Sequence, residues 1–323
     1  MKILALHLHH ILGYAQMRGI SITELISQME HPPANFLDET LTVSVEDFYV
    51  VIEAISQRIQ EERLGIRLGD FLNLGALGLI YRISLQATTV EEALHYLQMY
   101  LNATFPIITL QTSVEPDIVK IMLNIANDKT ATNRIILENT LSVIARELTL
   151  MTTSKARIIK TSPFVSQEYP HDWQYGESFS VSFMPTILKA TLQDRSRQQL
   201  DILIPEYLKL IEGLKSDLTF SNKVKIASLH LAKPELPGLE TVADAFHLTP
   251  RTFQRRLGTE NITFRQITDD LRKQISNLLI RHNRFSITDI SYVLGYSEPA
   301  AFIHSFKKWY GDSPDRLRQK AFS

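Results

Sequence analysis

The stretch Val242-Ala243-Asp244-Ala245-Phe246-His247-Leu248-Thr249-Pro250-Arg251-Thr252-Phe253 decides how the chain is read, because it recurs. Its second version is Ile290-Ser291-Tyr292-Val293-Leu294-Gly295-Tyr296-Ser297-Glu298-Pro299-Ala300-Ala301-Phe302. Each reads as a short helix, a tight turn, and a second helix opened by proline with an aromatic anchor three residues on. Pro250 corresponds to Pro299, Phe253 to Phe302 and Leu257 to Phe306 at an offset of 49, while the turns correspond at 48. The second copy therefore carries one extra residue in its turn.

The surrounding sequence marks more helix boundaries. Thr249 before Pro250 is an N-cap, and Thr263-x-x-Gln266 and Ser286-x-x-Asp289 are capping boxes. Glu298-Pro299 and Ser313-Pro314 repeat the acceptor-then-proline start, and Gly311 after Lys308-Trp309-Tyr310 is a C-cap. Between the copies, Phe264, Ile267, Leu271, Ile275 and Leu278 form the apolar stripe of a longer helix. From Phe264 to Arg281 it would span about 27 Å at 1.5 Å per residue. Helix, turn and second helix is the layout that places its second helix in a DNA major groove. Successive grooves on one face lie about 34 Å apart, so this spacer suits two reading heads.

Working outward, the charge is uneven. From Ser221 to the end there are 16 Lys/Arg against 10 Asp/Glu, and 18 against 25 before it, although the whole chain is only −1. A basic module for a polyanion joined to an acidic domain with another task is the implied organisation. The 323 residues suffice for two domains, and 44% apolar with 21% charged residues describes a folded chain. No run approaches the ~20 apolar residues of a membrane span. The absence of cysteine excludes disulfide frameworks, Cys-based zinc fingers and thiol nucleophiles, including an alkyl-acceptor repair activity. The N-terminus weakly resembles a signal peptide, but His7, His9 and His10 interrupt its apolar run, so it reads as the start of a cytoplasmic protein. Those histidines lack carboxylate or thiolate partners nearby, so no metal is expected. No Walker A, Gly-x-Ser-x-Gly or His-Glu-x-x-His motif is present, and adjacent carboxylates such as Glu61-Glu62 do not converge. Neither an enzyme nor a cofactor is expected.

The first 200 residues mix both periods. Phe48, Val51, Ile52, Ile55 and Ile59 make one helical face; Val90, Ala93, Leu94, Leu97 and Leu101 a second; Leu137, Leu141, Ile144, Leu148 and Met151 a third. A hairpin is expected at 107–114 with 118–125 about the Glu115-Pro116-Asp117 turn, with strands at Phe179–Phe183 and, more weakly, Arg157–Lys160. The reading is an α+β N-terminal domain (an antiparallel sheet with helices) over residues 1–205, a connecting helix and linker over 206–222, and an all-α C-terminal domain with two helix-turn-helix motifs over 223–323.

Several runs resemble the DNA-binding domain of the AraC/XylS family of transcription regulators. They are Thr249 to Leu257, Thr263-Phe264, Leu271-Arg272, Ile290 to Phe306 with its Leu-Gly-Tyr-Ser turn, and Lys307 to Pro314. More loosely, Leu64-Gly65-Ile66-Arg67-Leu68-Gly69 with Gly75 and Gly78 resembles the arabinose-type ligand-binding domain of one branch. The resemblance implies a transcription activator that reads promoter DNA, binds a small-molecule effector, forms a homodimer and contacts RNA polymerase. It implies DNA contact by Arg251, Thr252, Gln254 and Arg255 on the first reading helix, where Arg suits guanine and Gln adenine. On the second, Pro299, Ala300, Ala301 and His304 face the groove with little bidentate chemistry; family members often carry Arg at the place of His304. Lys307, Lys308 and Arg272 suit phosphate. The family usually has glycine at the place of His247, so a strained turn is expected there. Tyr81, Arg82, Tyr96 and Tyr100 are candidate effector contacts, with amino acids and lipid-like molecules both open as effectors. The competing reading is an architectural DNA binder without an effector.

Overall fold

The computed structural model describes residues 1–38, 40–71, 87–152, 157–192, 210–211, 213–214, 219–232, 235–281 and 285–322. The chain divides into two compact units, Met1–Gln193 and Asp194–Ser323. Most of the connecting segment expected over 206–222 lies outside the described residues.

In the first unit, β1 (Lys2–Leu4) pairs antiparallel with β2 (Thr42–Ser44), Ile3 opposite Val43. Between them, α1 (Leu6–Met17) buries Leu8, Ile11, Leu12, Tyr14 and Ala15. A helix apolar nearly all round belongs inside the core, and so the leader-like N-terminal run is core. The short α2 (Ile22–Ile26) is capped by Ser21. Ser44 then caps α3 (Val45–Ile59), which buries Phe48, Tyr49, Val51, Ile52 and Ile55 and ends at left-handed Gln60. There follow α4 (Leu64–Asp70), α5 (Val90–Thr104), β3 (Thr109–Val114), β4 (Val119–Asn124), α6 (Thr130–Met151), β5 (Ile159–Ser162), β6 (Trp173–Tyr175) and β7 (Phe179–Phe183). The sheet order is β3-β4-β7-β5-β6, antiparallel except for the β5–β6 pair. β4 alternates Val119, Ile121 and Leu123 into the core, as period-two burial requires.

Helix α4 crosses α6 at backbone contact. A Cβ on Gly65 would lie 2.5 Å from the Ile135 carbonyl oxygen, and one on Gly69 would lie 2.6 Å from that of Asn139 and against Ser142. Glycine four residues after glycine puts both gaps on one helical face. Around this crossing the unit buries charge. Glu138, with no exposed surface, accepts from Arg134 (3.1 Å), Ser162 (3.2 Å) and Tyr169. Glu61 pairs with Arg18 (2.9 Å) and Arg67. Such pairing is what makes interior ions tolerable.

His10 is also buried, and His7 is half-buried. The His7 ring stacks on Phe105, with Nε2 3.0 Å from Thr104 Oγ1. Burial first, and its neighbour His10 second, lowers the His7 pKa to about 3; burial and then His9 lower that of His10 to about 4. Burial conversely lifts Glu147 to about 7, against the opposing pull of Arg146.

In the second unit the helices are α7 (Phe220–His230), α8 (Leu239–Ala245), α9 (Pro250–Gly258), α10 (Phe264–Ile280), α11 (Ile287–Val293), α12 (Pro299–Tyr310) and α13 (Pro314–Phe322), preceded by helical residues at 210–211 and 213–214, and no strand lies among its described residues. Helix α10 packs against α7 on one side and α11, α12 and α13 on the other.

Two outcomes are expected. Gly69→Ala forces a methyl against backbone and Ser142, and overpacking of this kind costs about 1–3 kcal/mol. The melting temperature of the first unit should fall by several degrees, whereas Gly258→Ala, with open space at its Cβ, should not lower that of the second. Differential scanning calorimetry reads both. The second outcome concerns pH. A carboxyl whose folded pKa is raised costs nothing below its unfolded value and progressively more as pH climbs from 4.5 to about 7. The buried histidines act oppositely: their stability is whole above 6.5 and is lost as pH falls toward about 4 and 3. Glu147→Gln should therefore raise the melting temperature at pH 8 and leave it nearly unchanged at pH 5. Equal shifts at both would mean that Glu147 ionises normally in the folded chain.

Candidate nucleic-acid interface

The first helix-turn-helix is α8, a turn at 246–249, and α9. His247 takes φ +56° in that turn, the left-handed region where glycine is the easy occupant. Histidine tolerates it better than most side chains do. Thr249 accepts from Thr252 N–H, and Pro250 opens α9 without wasting a donor. Phe253 and Leu257 are fully buried. Phe253 lies at the centre of an aromatic cluster, its ring 5.5 Å from Phe220, 5.9 Å from Phe246 and 5.9 Å from Phe264. Because the inward face is fixed this way, Arg251, Gln254 and Arg255 emerge together, exposed, on the opposite face. Thr252 is half-buried and is held at the cap by a 3.0 Å hydroxyl bond with Thr249.

The second motif is α11, a turn at 294–298, and α12. Ser286 and Asp289 form a complete capping box at the start of α11. Gly295 takes φ +76° at the place of His247. Phe302 and Phe306 are fully buried, in a row of tilted and edge-on ring contacts that runs from Tyr296 to Tyr310. Ala300, His304, Lys307 and Lys308 are exposed, while Pro299, Ala301 and Ile303 are half-buried. Gly311, left-handed at φ +75°, ends the helix.

Arg272 stands apart from this set. Its Nε donates to the Leu294 carbonyl at 2.9 Å, its guanidinium lies 5.4 Å from the Tyr296 ring centre, and Asp269 is 3.7 Å away. It ties α10 to the second turn. The polar half of the first motif holds a comparable tie that local patterns do not reveal. Glu260 accepts from the Phe220 and Ser221 backbone N–H groups at 2.7 and 2.9 Å, capping α7 from forty residues away. Partial burial raises its carboxyl pKa, but the bonds from Ser221 and Phe220 outweigh this and hold it below the usual range. Arg256 covers the Phe220 ring at 4.3 Å. Arg265, 92% exposed, projects from the first turn of α10 beside a cleft lined by Gln254, Gly258 and Thr263. It is a cation on the rim of the first reading helix that the sequence reading did not single out.

The first unit contains an apolar cleft of about 160 Å³ between α5 and the β3–β4 hairpin, floored by Ile144 and Leu188. Leu94, Leu97, Leu101 and Leu110 wall it, and Glu91, His95, Gln98 and Thr112 supply polar atoms. Tyr96 and Tyr100 are not among its lining residues. Tyr96 donates to Glu92 at 3.0 Å, and the Tyr100 ring lies 5.9 Å from that of His7. Tyr81 and Arg82 lie outside the described residues.

Comparison with known proteins matches both units. Residues 242–320 fit the helix-turn-helix domain family, and residues 19–160 fit the arabinose-binding domain of AraC transcription regulators. The regulator VirS of Mycobacterium tuberculosis is 24% identical over 95% of this chain and 94% of its own. VqsM of Pseudomonas aeruginosa is 39% identical over 84 residues, 26% of each chain, and the activator CfaD of Escherichia coli is 36% identical over 34% of this chain and 42% of its own. The likeness to VqsM and CfaD is thus confined to less than half of those proteins, and that to VirS runs nearly end to end. An arabinose-binding-type unit followed by two helix-turn-helix motifs on one basic unit is the AraC architecture, and the chain belongs to the AraC family of transcription regulators.

Proposed function

We propose that this regulator reads promoter DNA chiefly through α9, uses α12 mainly as a clamp, and responds to a small apolar effector seated in the α5–hairpin cleft. The carrying observation is the shared outward face of Arg251, Gln254 and Arg255 over a fully buried aromatic anchor. Arg matches guanine O6/N7 and Gln matches adenine N6/N7, each bidentate pair giving about 1–3 kcal/mol of discrimination. The outward face of α12 offers Ala300, half-buried Ala301 and His304, which suit thymine methyls and single hydrogen bonds. Lys307, Lys308 and Arg265 serve phosphate, which positions without specifying. Thr252 and Pro299 support the two helix starts, and Arg272 holds the second turn.

In this reading the protein works without catalysis in the cytoplasm, where promoter DNA is, as a homodimer that activates by contacting RNA polymerase. Effector binding shifts the balance between arrangements of differing DNA affinity, and only a ligand with unequal affinity for them can act as a switch. The apolar lining with few polar atoms is the usual chemistry of a small-molecule site.

Selection from a random duplex library at about 150 mM salt tests the DNA reading, since purely electrostatic binding fades at that ionic strength. Two enriched boxes about one helical turn apart are expected, the box under α9 the better defined. Arg255→Ala should then weaken binding to the selected site about tenfold or more. Lys307→Ala and Lys308→Ala should weaken all duplexes alike and each lower the salt slope by about 1. An unchanged affinity for Arg255→Ala would remove α9 from the reading role. For the cleft, a metabolite panel should include compounds that raise the melting temperature of the first unit. A true ligand at 100 times its Kd adds about 2.7 kcal/mol. Leu101→Trp, which fills the cleft, should abolish the shift; a shift that survives places the effector elsewhere.

A further inference from the structure

The five-stranded sheet ends on two unequal edges. At one, β6 is only three residues long. At the other, β3 runs six residues, Thr109-Leu110-Gln111-Thr112-Ser113-Val114, with no charge and no proline. Edge strands of folded proteins are usually short, charged or covered, because open N–H and C=O groups invite another strand. The register says which groups are open. Glu115 N–H donates to the Ile118 carbonyl at the turn, and Ser113 stands opposite Lys120, Gln111 opposite Met122 and Thr109 opposite Asn124. Hydrogen-bonded pairs in an antiparallel ladder recur every second residue. Ser113, Gln111 and Thr109 therefore spend their backbone groups on β4. Leu110, Thr112 and Val114 turn theirs outward, and among the described residues these groups meet no partner.

We infer that β3 is the pairing edge of the homodimer, joining antiparallel to β3 of a second copy about a two-fold axis at Thr112. The strand is complementary to itself in this register. Thr112 faces its own counterpart, Leu110 faces Val114 of the other copy, and Gln111 faces Ser113. Threonine pairs and apolar pairs opposite each other favour antiparallel ladders. The three outward residues form about six new backbone hydrogen bonds in total, two for each facing pair. Val114, 63% exposed in the single chain, is covered. The acidic tip residue Glu115 meets Thr109 rather than another carboxylate, so no like charges oppose. A two-fold pairing of identical edges closes on itself and stops at a dimer. This interface deepens the homodimer reading above and uses no residue of the DNA-reading helices, so DNA affinity for a single box tests one and association tests the other.

The full-length chain should sediment as a dimer of 36.9 kDa subunits at about 10 µM. Thr112→Pro deletes one outward N–H without entering the β3–β4 ladder, a position where edge strands accept proline. It should sediment as a monomer with unchanged far-UV circular dichroism. Because the chain has no cysteine, Thr112→Cys offers a second test that does not depend on the proline variant folding. Facing residues of a hydrogen-bonded pair lie about 5.5 Å apart at Cα, within reach of a disulfide. Mild oxidation should convert Thr112→Cys to a covalent dimer and leave Tyr175→Cys, on the opposite edge, uncrosslinked. A dimer that persists in Thr112→Pro, a monomeric wild type, or equal cross-linking at both edges would overturn the proposal; a monomeric wild type would leave β3 to a strand of some other protein.

Discussion

One helix carries both reading heads. Seventeen residues of α10 run about 25 Å at 1.5 Å per residue. Their apolar stripe meets the first motif through Phe264, against Phe253, and the second through its packing on α11 and α12. Because the same rigid element is the floor of both motifs, neither head can turn independently of the other without unpacking it. The complete Thr263–Gln266 capping box fixes where the helix begins, and the bond from Tyr310 to the Lys273 carbonyl at 2.8 Å anchors the far end of α12 to its middle. Spacing between the heads is thus a property of covalent length and helical rise, not of a flexible link.

The first unit is organised around a different constraint, the backbone contact of α4 with α6. Close approach brings Glu138 and its partners under α4, and it displaces water from groups that would otherwise be hydrated. The interior then has to satisfy them with one another, which is why Arg134, Tyr169 and Ser162 converge on a single carboxylate. Burial elsewhere in the unit, with His7 packed on Phe105 at the end of α5, holds His7 and His10 neutral and keeps Glu147 resistant to ionisation. Packing geometry therefore sets the titration behaviour of this unit, and the two kinds of buried group push its stability in opposite directions as pH changes.

Local signals in the sequence were legible. Caps, proline starts, aromatic anchors three residues beyond them and the one-residue difference between the turns all act within a few residues, and they appear in the structure where the pattern puts them, except that the Glu298 side chain makes no capping bond at the start of α12. The strained turn at His247 was also readable, since only the comparison of two copies was needed. The hairpin and the three amphipathic faces of the first unit were legible for the same reason. What escaped was long-range. The β1–β2 pair joins residues forty apart, β6 is a three-residue strand with no period to detect, and its parallel pairing with β5 has no local signature. Glu260 as the cap of α7 and Arg272 as the tie to Leu294 are contacts that only the tertiary fold creates. Tyr96 and Tyr100 were singled out by chemistry and proximity in sequence, whereas the cleft is lined by the helical face of Leu94, Leu97 and Leu101.

The cleft and the open edge are not separate features. Leu110, Thr112 and Val114 wall the cleft, and the same three residues turn their backbone groups outward from the sheet. A strand can present those groups to a second copy only if it is held flat against β4, and whatever fills the cleft presses on the same side chains from below. A ligand that braces Leu110 and Val114 in the paired geometry would lower the ordering cost of association. By linkage, association must then raise the affinity for that ligand by the same factor. The effector need not reach the DNA-reading helices at all for this coupling to matter. Two copies paired through β3 would present two basic units to one duplex, and the second engagement would become effectively intramolecular, so occupancy of a site with paired boxes would rise without any new contact to a base.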